Sequence, residues 1–433
     1  MRQKASIPAL VVLLMATAIL TSGQGTWNKL EVPVTCSLNS LFFTDSLYGW
    51  VAGDSGTIIH TTDGGVSWSI QESNTTNDIV EIFFLDRQRG WASSFNFTSP
   101  PFGTLLLSTV NGGLSWVPEP YPEEDIFITC ILYRDSLNGW MGGKPHALVK
   151  TNDGGTTWTH AAVDTSTLAF FPVLDITFWD TQYGYACGGI FDVAGVVWRT
   201  NNGGDLWYAM DVAYAPADEV HALYLFDSIT VMGAGGDPDF GYGVGMIRSS
   251  DGGISWTYDE LDIQGYASDL GFRTPSECWS PLGTRRMLIR SQDTGKTWTA
   301  VPTPDSTSVF RLVFTDSLHG YAAGRDGAVL KYMPKPGLGA PENPDLCECG
   351  MTNYPNPFSH DTEIRFTLNA GARVVITVYN MMGQVIETLA DEEMTAGDHH
   401  LHFDAARLQS GIYLARMTTE HGDVSVRKLI LLN

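Results

Sequence analysis

The chain has 433 residues, enough for two or three domains, with 48 Asp and Glu against 25 Lys and Arg and a formal net charge of -23. That balance argues against nucleic acid or anionic lipid as a partner. Only 17% of residues are charged, while 45 are Gly and 13 are Trp; this is the makeup of a turn-rich all-β protein, and no long amphipathic helix pattern is present.

Arg2 and Lys4 precede an apolar run from Ile7 to Leu20, and Thr21, Ser22 and Gly23 supply small residues before Gln24. This is the layout of a Sec signal peptide over residues 1–23, too short to span a membrane stably. The mature chain is therefore expected to begin near Gln24 and to contain no transmembrane span. No Cys stands at the expected cleavage site, so a lipoprotein anchor is not expected.

Over residues 24–335 two motifs alternate. The first is an apolar strand, a D-S-x-x-G turn and a strand carrying Trp or Tyr, as in LFFTDSLYGWVAG at 41–53 and LVFTDSLHGYAAG at 312–324, with weaker copies at Leu223–Gly233 and Leu270–Trp279. The second occurs six times: TTDGGVSW (61–68), TVNGGLSW (109–116), TNDGGTTW (151–158), TNNGGDLW (200–207), SSDGGISW (249–256) and SQDTGKTW (291–298). Apolar β-branched runs flank each copy, so each is a hairpin turn. The Asp or Asn accepts main-chain hydrogen bonds, the following Gly takes a positive φ, and the Trp packs between units. Spacing from Trp to Trp is 42 to 49 residues, the period of a four-stranded propeller blade.

There are seven copies of the first motif but six of the second, because the last unit stops at GAVLKYM (327–333). GTWNKLEV (25–32) reads as the tail of the missing hairpin, with Trp27 as its closing Trp. The expected fold is thus an all-β, seven-bladed propeller closed by both chain ends, which leaves no free sheet edge in the ring.

The turn resembles the Asp-box (BNR-like) repeat of sialidases, of xyloglucan-degrading glycosidases and of the photosystem II stability/assembly factor family. The resemblance implies a structural role, remote from any active site, for Asp63, Asn111, Asp153, Asn202, Asp251 and Asp293 and for Trp68, Trp116, Trp158, Trp207, Trp256 and Trp298. Asp293–Gly295 also spells an aspartic-protease triplet and Gly295–Thr297 the end of a phosphate-binding loop. Both stand in Asp-box register, and the second lacks its upstream Gly.

Residues 336–350, rich in Pro and Gly, form an expected linker. Beyond them, YPNPF (354–358), TEIRFTL (362–368), VVITVYNMMGQVIETL (374–389), AGDHHLHFDAARLQSGIYLARM (396–417) and RKLILLN (427–433) resemble the type A C-terminal sorting domain of the type IX secretion system. The alternation of Val374, Ile376 and Val378 independently gives a small antiparallel β-sandwich over 351–433. The resemblance implies export to the surface or the medium, with the outer-membrane secretion machinery as a partner.

Cys36, Cys130, Cys187, Cys278, Cys347 and Cys349 show no metal spacing; a tether between linker and propeller and buried free thiols both fit. His400 and His402 share a strand face without a further ligand set, so neither a metal nor a cofactor is expected. The two repeated turns fall on one propeller face, which leaves the opposite loops free to vary. These loops are aromatic, with Phe95, Phe97, Phe102, Phe191, Phe240 and Tyr242 as candidate ligand-binding residues. The connections between blades add the carboxylates Glu123, Glu124, Asp125, Asp218, Glu219, Asp259, Glu260 and Asp262.

The preferred reading is a secreted or surface-displayed binding or adhesion propeller for a polysaccharide or surface protein, without catalysis. The alternatives are a glycoside hydrolase of the Asp-box class, for which no unique carboxylate pair stands out, and an assembly or chaperone-like factor.

Overall fold

The computed structural model describes residues 25–239, 241–334 and 351–431, apart from 357, 359, 369–370, 381–384, 409–410 and 420–423 in the last part. The expected signal peptide, the linker with Cys347 and Cys349, and Phe240 lie outside these residues. The chain divides at Lys335/Pro336 into two compact units.

The first unit holds seven antiparallel sheets of the propeller. Blade 1 runs outward through Leu38–Phe43, Gly49–Gly53, Ile58–Thr61 and Ser69–Gln71. Blades 2 to 6 repeat that order from Ile79, Phe127, Val173, Val220 and Gly271, and blade 7 contains Val309–Phe314, Gly320–Gly324 and Val329–Met333. Second strands are buried along their length, as in the all-buried GWVAG of blade 1, because neighbouring blades cover both of their faces.

Their aromatic residues form the contact from blade to blade. Trp50 stacks on Phe84 of blade 2 at 3.6 Å, Trp91 on Tyr133 of blade 3 at 3.7 Å, and Tyr321 on Phe43 of blade 1 at 3.8 Å. The Gly that opens each such strand makes room for the ring ending the first strand: a Cβ on Gly49 would lie 2.2 Å from Phe43, and one on Gly90 2.5 Å from Phe84.

The ring closes as the counting of motifs requires. Thr26–Lys29 pairs antiparallel with Val329–Met333, with Trp27 opposite Tyr332, and becomes the fourth strand of blade 7. Trp27 is 6% exposed and meets Trp279, Phe314 and Tyr332 edge-on at 5.9, 5.6 and 5.5 Å.

Three details depart from the simple repeat. Blade 4 gains a fifth strand, Ala162–Val163, parallel to Leu206–Ala209, because the chain leaves blade 3 after the two-residue strand Thr159–His160 and runs along its neighbour. The loop that carries Phe191 is only residues 191–193, because pairing continues to Ile190↔Ala194. Asp259, Glu260 and Asp262 belong to the outer strand Thr257–Gln264 of blade 5, not to a connection between blades.

The second unit is a β-sandwich-like pair of sheets, one ordered Thr352–Tyr354, Asp361–Leu368, Gly397–Asp404 and the other Val385–Met394, Ala372–Asn380, Gly411–Thr419, Val424–Leu431. Val374, Ile376 and Val378 are each fully buried, with Ile364, Phe403, Met417 and Leu429 in the same core. Arg365 and Glu363 stand opposite His400 and His402, which are exposed on the neighbouring strand. Cys36, Cys130, Cys187 and Cys278 are free thiols.

Candidate functional site

Both repeated turns occupy one face, and hydrogen bonds join them. The first Asp-box Gly donates its N–H to a carbonyl of the D-S-x-x-G turn, as in Gly64 to Leu47 at 2.9 Å, Gly112 to Gln88 at 2.8 Å and Gly252 to Ile229 at 2.9 Å. Within the box, Asp63 Oδ1 accepts from the Ser67 N–H at 2.9 Å and from Thr61 Oγ1 at 2.8 Å, and Oδ2 accepts from Ser67 Oγ at 2.6 Å. Asp153, Asp251 and Asp293 repeat the pattern, and Asn111 and Asn202 keep the Oδ1 half. The Ser67 hydroxyl and N–H hold the Asp63 carboxyl down to about 2. Of the closing indoles, Trp116, Trp207 and Trp256 are buried and Trp68, Trp158 and Trp298 half-buried. Asp63→Ala is expected to cost about 1 kcal/mol, the scale of a lost turn hydrogen bond, measured by urea denaturation.

The opposite face carries the loops between strands two and three. Near the channel mouth a cavity of about 230 Å³ is lined by Val80, Phe95, Thr129, Lys144, Leu174, Glu219, His221 and Arg311. On one side Phe97, 66% exposed, stacks on Phe127 at 4.8 Å, and Phe95 meets both rings edge-on at 6.0 and 5.2 Å. His221 stands 5.7 Å from Phe191 and 5.1 Å from Tyr266. Glu219 lies 3.8 Å from Lys144 and 3.4 Å from His221. Burial, with Arg311 and Lys144 adding, pushes the His221 imidazole down to about 3, so it is neutral at physiological pH despite Glu219. Burial raises Glu219 against the pull of Lys144.

Below the mouth, one matching position of the seven inner strands or their approaches holds Ser40, Glu81, Cys130, Asp175, Ala222, Asp269 and Arg311 in blade order. Six of these positions follow a break in register, between Leu38 and Ser40 in blade 1 and at the matching place in blades 2, 3, 4, 5 and 7. Such bulges leave main-chain groups unpaired. The preceding blade satisfies some of them: Ser40 Oγ accepts from the Ile82 N–H at 3.1 Å, Asp175 from Leu223 at 3.3 Å and Asp269 from Leu312 at 2.8 Å. Burial raises Glu81 to about 7 and Asp175 to about 6, and it raises Asp269 as well. Arg311 stands 3.8 Å from Glu81.

The structure thus brings Phe95, Phe97 and Phe191 to one mouth. Phe102, 40% exposed, stands further along the Phe97 loop, and Tyr242, 53% exposed, lies on the blade 5 loop outside the cavity lining. Phe127, Lys144, His221, Tyr266 and Arg311 were not singled out by sequence. Alignment of the seven inner strands exposes His221 and Arg311, the second and third residues of their strands, since those columns vary while the flanking apolar residues repeat. Asp192, Asp218 and Asp237 also converge, with one oxygen of each within 4.8 Å of the others, a grouping that sequence spacing does not reveal. Arg87 and Arg89 sit in the turn of the Asp-box face, paired with Asp45 at 2.8 Å and Asp86 at 2.7 Å.

Fold and site define a seven-bladed Asp-box propeller, and the description "Secretion system C-terminal sorting domain" matches residues 352–432, so the protein is exported by the type IX system to the cell surface or beyond. Among the described residues no helix is long and apolar enough to cross a membrane. The propeller is similar to the photosystem II assembly factors: the family described as "Photosynthesis system II assembly factor YCF48" matches residues 20–118 and 67–212. The photosystem II assembly lipoprotein Ycf48 of Synechococcus sp. (strain CC9902) is 22% identical over 337 residues, covering 74% of this chain and 92% of that protein. A solved structure of YCF48 bound to D1 peptide has a TM-score of 0.56 at 21% identity, covering 76% of this chain and all of that one. PorZ of Porphyromonas gingivalis, a surface component of the type IX secretion system, has a TM-score of 0.52 at 12% identity, covering 90% of this chain and 59% of PorZ.

Proposed function

We propose that this chain is an exported binding propeller, without catalysis, whose ligand is a polypeptide segment held at the channel mouth on the loop face. The observation that carries the reading is the cavity of about 230 Å³ in which side chains from several blades converge, with the Phe95, Phe97 and Phe127 rings at its edge and Lys144 and Arg311 in its wall. Aromatic platforms supply contact area, and the cations select carboxylates or carbonyls of a bound chain. The solved structure of a similar propeller with a bound peptide supports a polypeptide over a polysaccharide. A second reading, an assembly factor for other exported proteins, draws on the photosystem II assembly factors to which the propeller is similar. In either case the C-terminal domain engages the secretion machinery and the propeller holds the ligand.

Parallel peptide and glycan arrays, probed with the mature protein, test the reading. Phe97→Ala is expected to weaken peptide binding by about tenfold, the effect of removing one aromatic anchor, while Asp63→Ala leaves affinity unchanged. Binding to glycans alone overturns the polypeptide assignment. Affinity that follows Asp63→Ala but not Phe97→Ala overturns the choice of face.

A further inference from the structure

The seam between blades 2 and 3, on the Asp-box side and away from the channel mouth, differs from the other seams. In every blade the aromatic or Met residue of the second strand stands opposite one residue of the third. The pairs are Trp50↔His60, Trp140↔Lys150, Tyr185↔Arg199, Met232↔Arg248, Trp279↔Arg290 and Tyr321↔Lys331, with Trp91↔Ser108 in blade 2. Six of the seven third-strand residues are therefore long and basic or imidazole, and the seventh is a serine.

Five of the six long side chains cover that ring or reach the turn of the next blade. His60 stacks on Trp50 at 4.6 Å, the Arg290 guanidinium lies 5.3 Å over Trp279, and the Lys331 ammonium lies 5.7 Å over Tyr321. Lys331 also donates to the Gly64 carbonyl at 2.8 Å, Arg248 to the Thr294 carbonyl at 3.2 Å, and Lys150 to Asp205; each acceptor belongs to the Asp-box of the next blade. A long side chain from the third strand, laid over the ring or tied to the neighbouring turn, is thus a recurrent filling of these seams, and Lys331 does both.

In blade 2 the filling is absent, and a cavity of about 390 Å³ opens between Trp91, Tyr133 and Trp158. Its wall includes Gly154, the counterpart of Gly64 and Thr294, and among the described residues no side chain donates to the Gly154 carbonyl. Tyr133 is 3% exposed, and its hydroxyl has no hydrogen-bond partner. Glu119 lines the same cavity three residues after the closing Trp116, the place that Gln71 holds in blade 1. There Gln71 bridges the seam, donating to the Gly112 carbonyl at 2.8 Å and accepting from Trp116 Nε1 at 3.3 Å. At the blade 2 seam the neutral amide is replaced by an exposed carboxylate.

We propose that this seam is a docking pocket for the cationic side chain, an arginine guanidinium or a lysine ammonium, of a partner polypeptide. The aromatic rings take the alkyl stem and the cation face, while the Gly154 carbonyl, the Tyr133 hydroxyl and Glu119 accept its N–H groups. The chain's net charge of -23 favours a basic partner on approach. The site is independent of the channel mouth and stands or falls apart from it.

The test titrates the mature protein with butylguanidinium and with butylurea, its neutral near-isostere, following saturation-transfer NMR and indole fluorescence. Butylguanidinium is expected to bind saturably and butylurea roughly tenfold more weakly, the scale of a cation–π contact with charge-assisted hydrogen bonds. Ser108→Arg, which supplies the missing side chain from within, is expected to abolish binding and to raise the melting temperature. Glu119→Gln, a change at an exposed side chain that leaves the fold intact, is expected to weaken binding by about fivefold or less, and it decides the matter if the Arg variant fails to fold. Equal affinity for the two probes, or binding that survives Ser108→Arg in a folded protein, overturns the proposal. A Gly-Gly-Arg-Gly-Gly peptide that binds more tightly than butylguanidinium supports a polypeptide source; one that binds no better overturns that part.

Discussion

A propeller lacking residues 25–34 melts on the order of 10 °C below the mature protein, because the deletion removes the fourth strand of blade 7 and its anchor together. Trp27 alone sits in a cage of Trp279, Phe314 and Tyr332, and truncation of so buried an indole costs about 3–5 kcal/mol. The deletion also strips Leu30, Val32 and Val34 from a cluster with Leu38, Val51, Ile59, Ala323 and Val329, residues contributed by blades 1 and 7. The main-chain bond from the Leu30 N–H to the Val329 carbonyl at 2.8 Å is lost as well. The outer edge of Val329–Met333 is then open to strand pairing with another molecule. Scanning calorimetry with light scattering reads both consequences. Trp27→Ala separates them, since it keeps the strand and loses the anchor. A deletion protein that melts with the full chain and stays monomeric removes the argument that the two chain ends close the ring.

The closure was legible because it is a counting argument on strongly marked turns: seven D-S-x-x-G units, six Asp-boxes and one orphan Trp at position 27. The sandwich core was legible for a similar reason, since Val374, Ile376 and Val378 recur at every second position of one strand. The site was harder to read. Aromatic residues in loops drew attention to Phe95, Phe97 and Phe191, but Lys144 ends a second strand and Arg311 lies within an inner strand of blade 7. They meet only because the ring brings strands more than 150 residues apart to one axis. Local patterning reports which residues are buried in a blade; it does not report which faces the channel, because the bulge alters the alternation there. The Ser108 seam stayed hidden for a different reason, since a missing side chain becomes visible only when the seven third strands are compared in register.

That channel register also decides the second large effect. Arg311 faces Glu81, Asp175 and Asp269, with Cys130 at the same level and Lys144, Glu219 and His221 toward the mouth. Burial works against its charge, and Glu81, Asp269 and Asp175 together hold the guanidinium ionised. Arg311→Met leaves the three carboxylates without their cation, and removal of one partner from a buried pair costs about 3–5 kcal/mol. The lower end applies at pH 8, because Arg311 and Glu81 keep 30% and 19% of their side-chain exposure and solvent screens them. At pH 5.5 the cost shrinks, since Glu81, raised to about 7, and Asp175, raised to about 6, take up protons and need no counter-charge.

The same shifts fix the pH dependence of the unsubstituted protein. A carboxyl whose folded pKa is raised binds its proton more tightly in the folded state, so its stabilising contribution is full below the unfolded pKa and is lost as pH rises through about 6 to 7. The Asp-box carboxyls act in the opposite sense: Asp63, Asp251 and Asp293, held down to about 2 by their Ser or Thr partners, contribute stability that is lost as pH falls from their unfolded value toward 2. From these carboxyls stability is therefore greatest near pH 4, where their unfolded values lie, and declines toward pH 8. Urea denaturation of the parent and of Arg311→Met at pH 5.5 and 8 measures both claims. An equal penalty for the substitution at the two pH values means that Arg311 contributes packing alone, and the channel carboxylates are then charged and solvated in the folded protein.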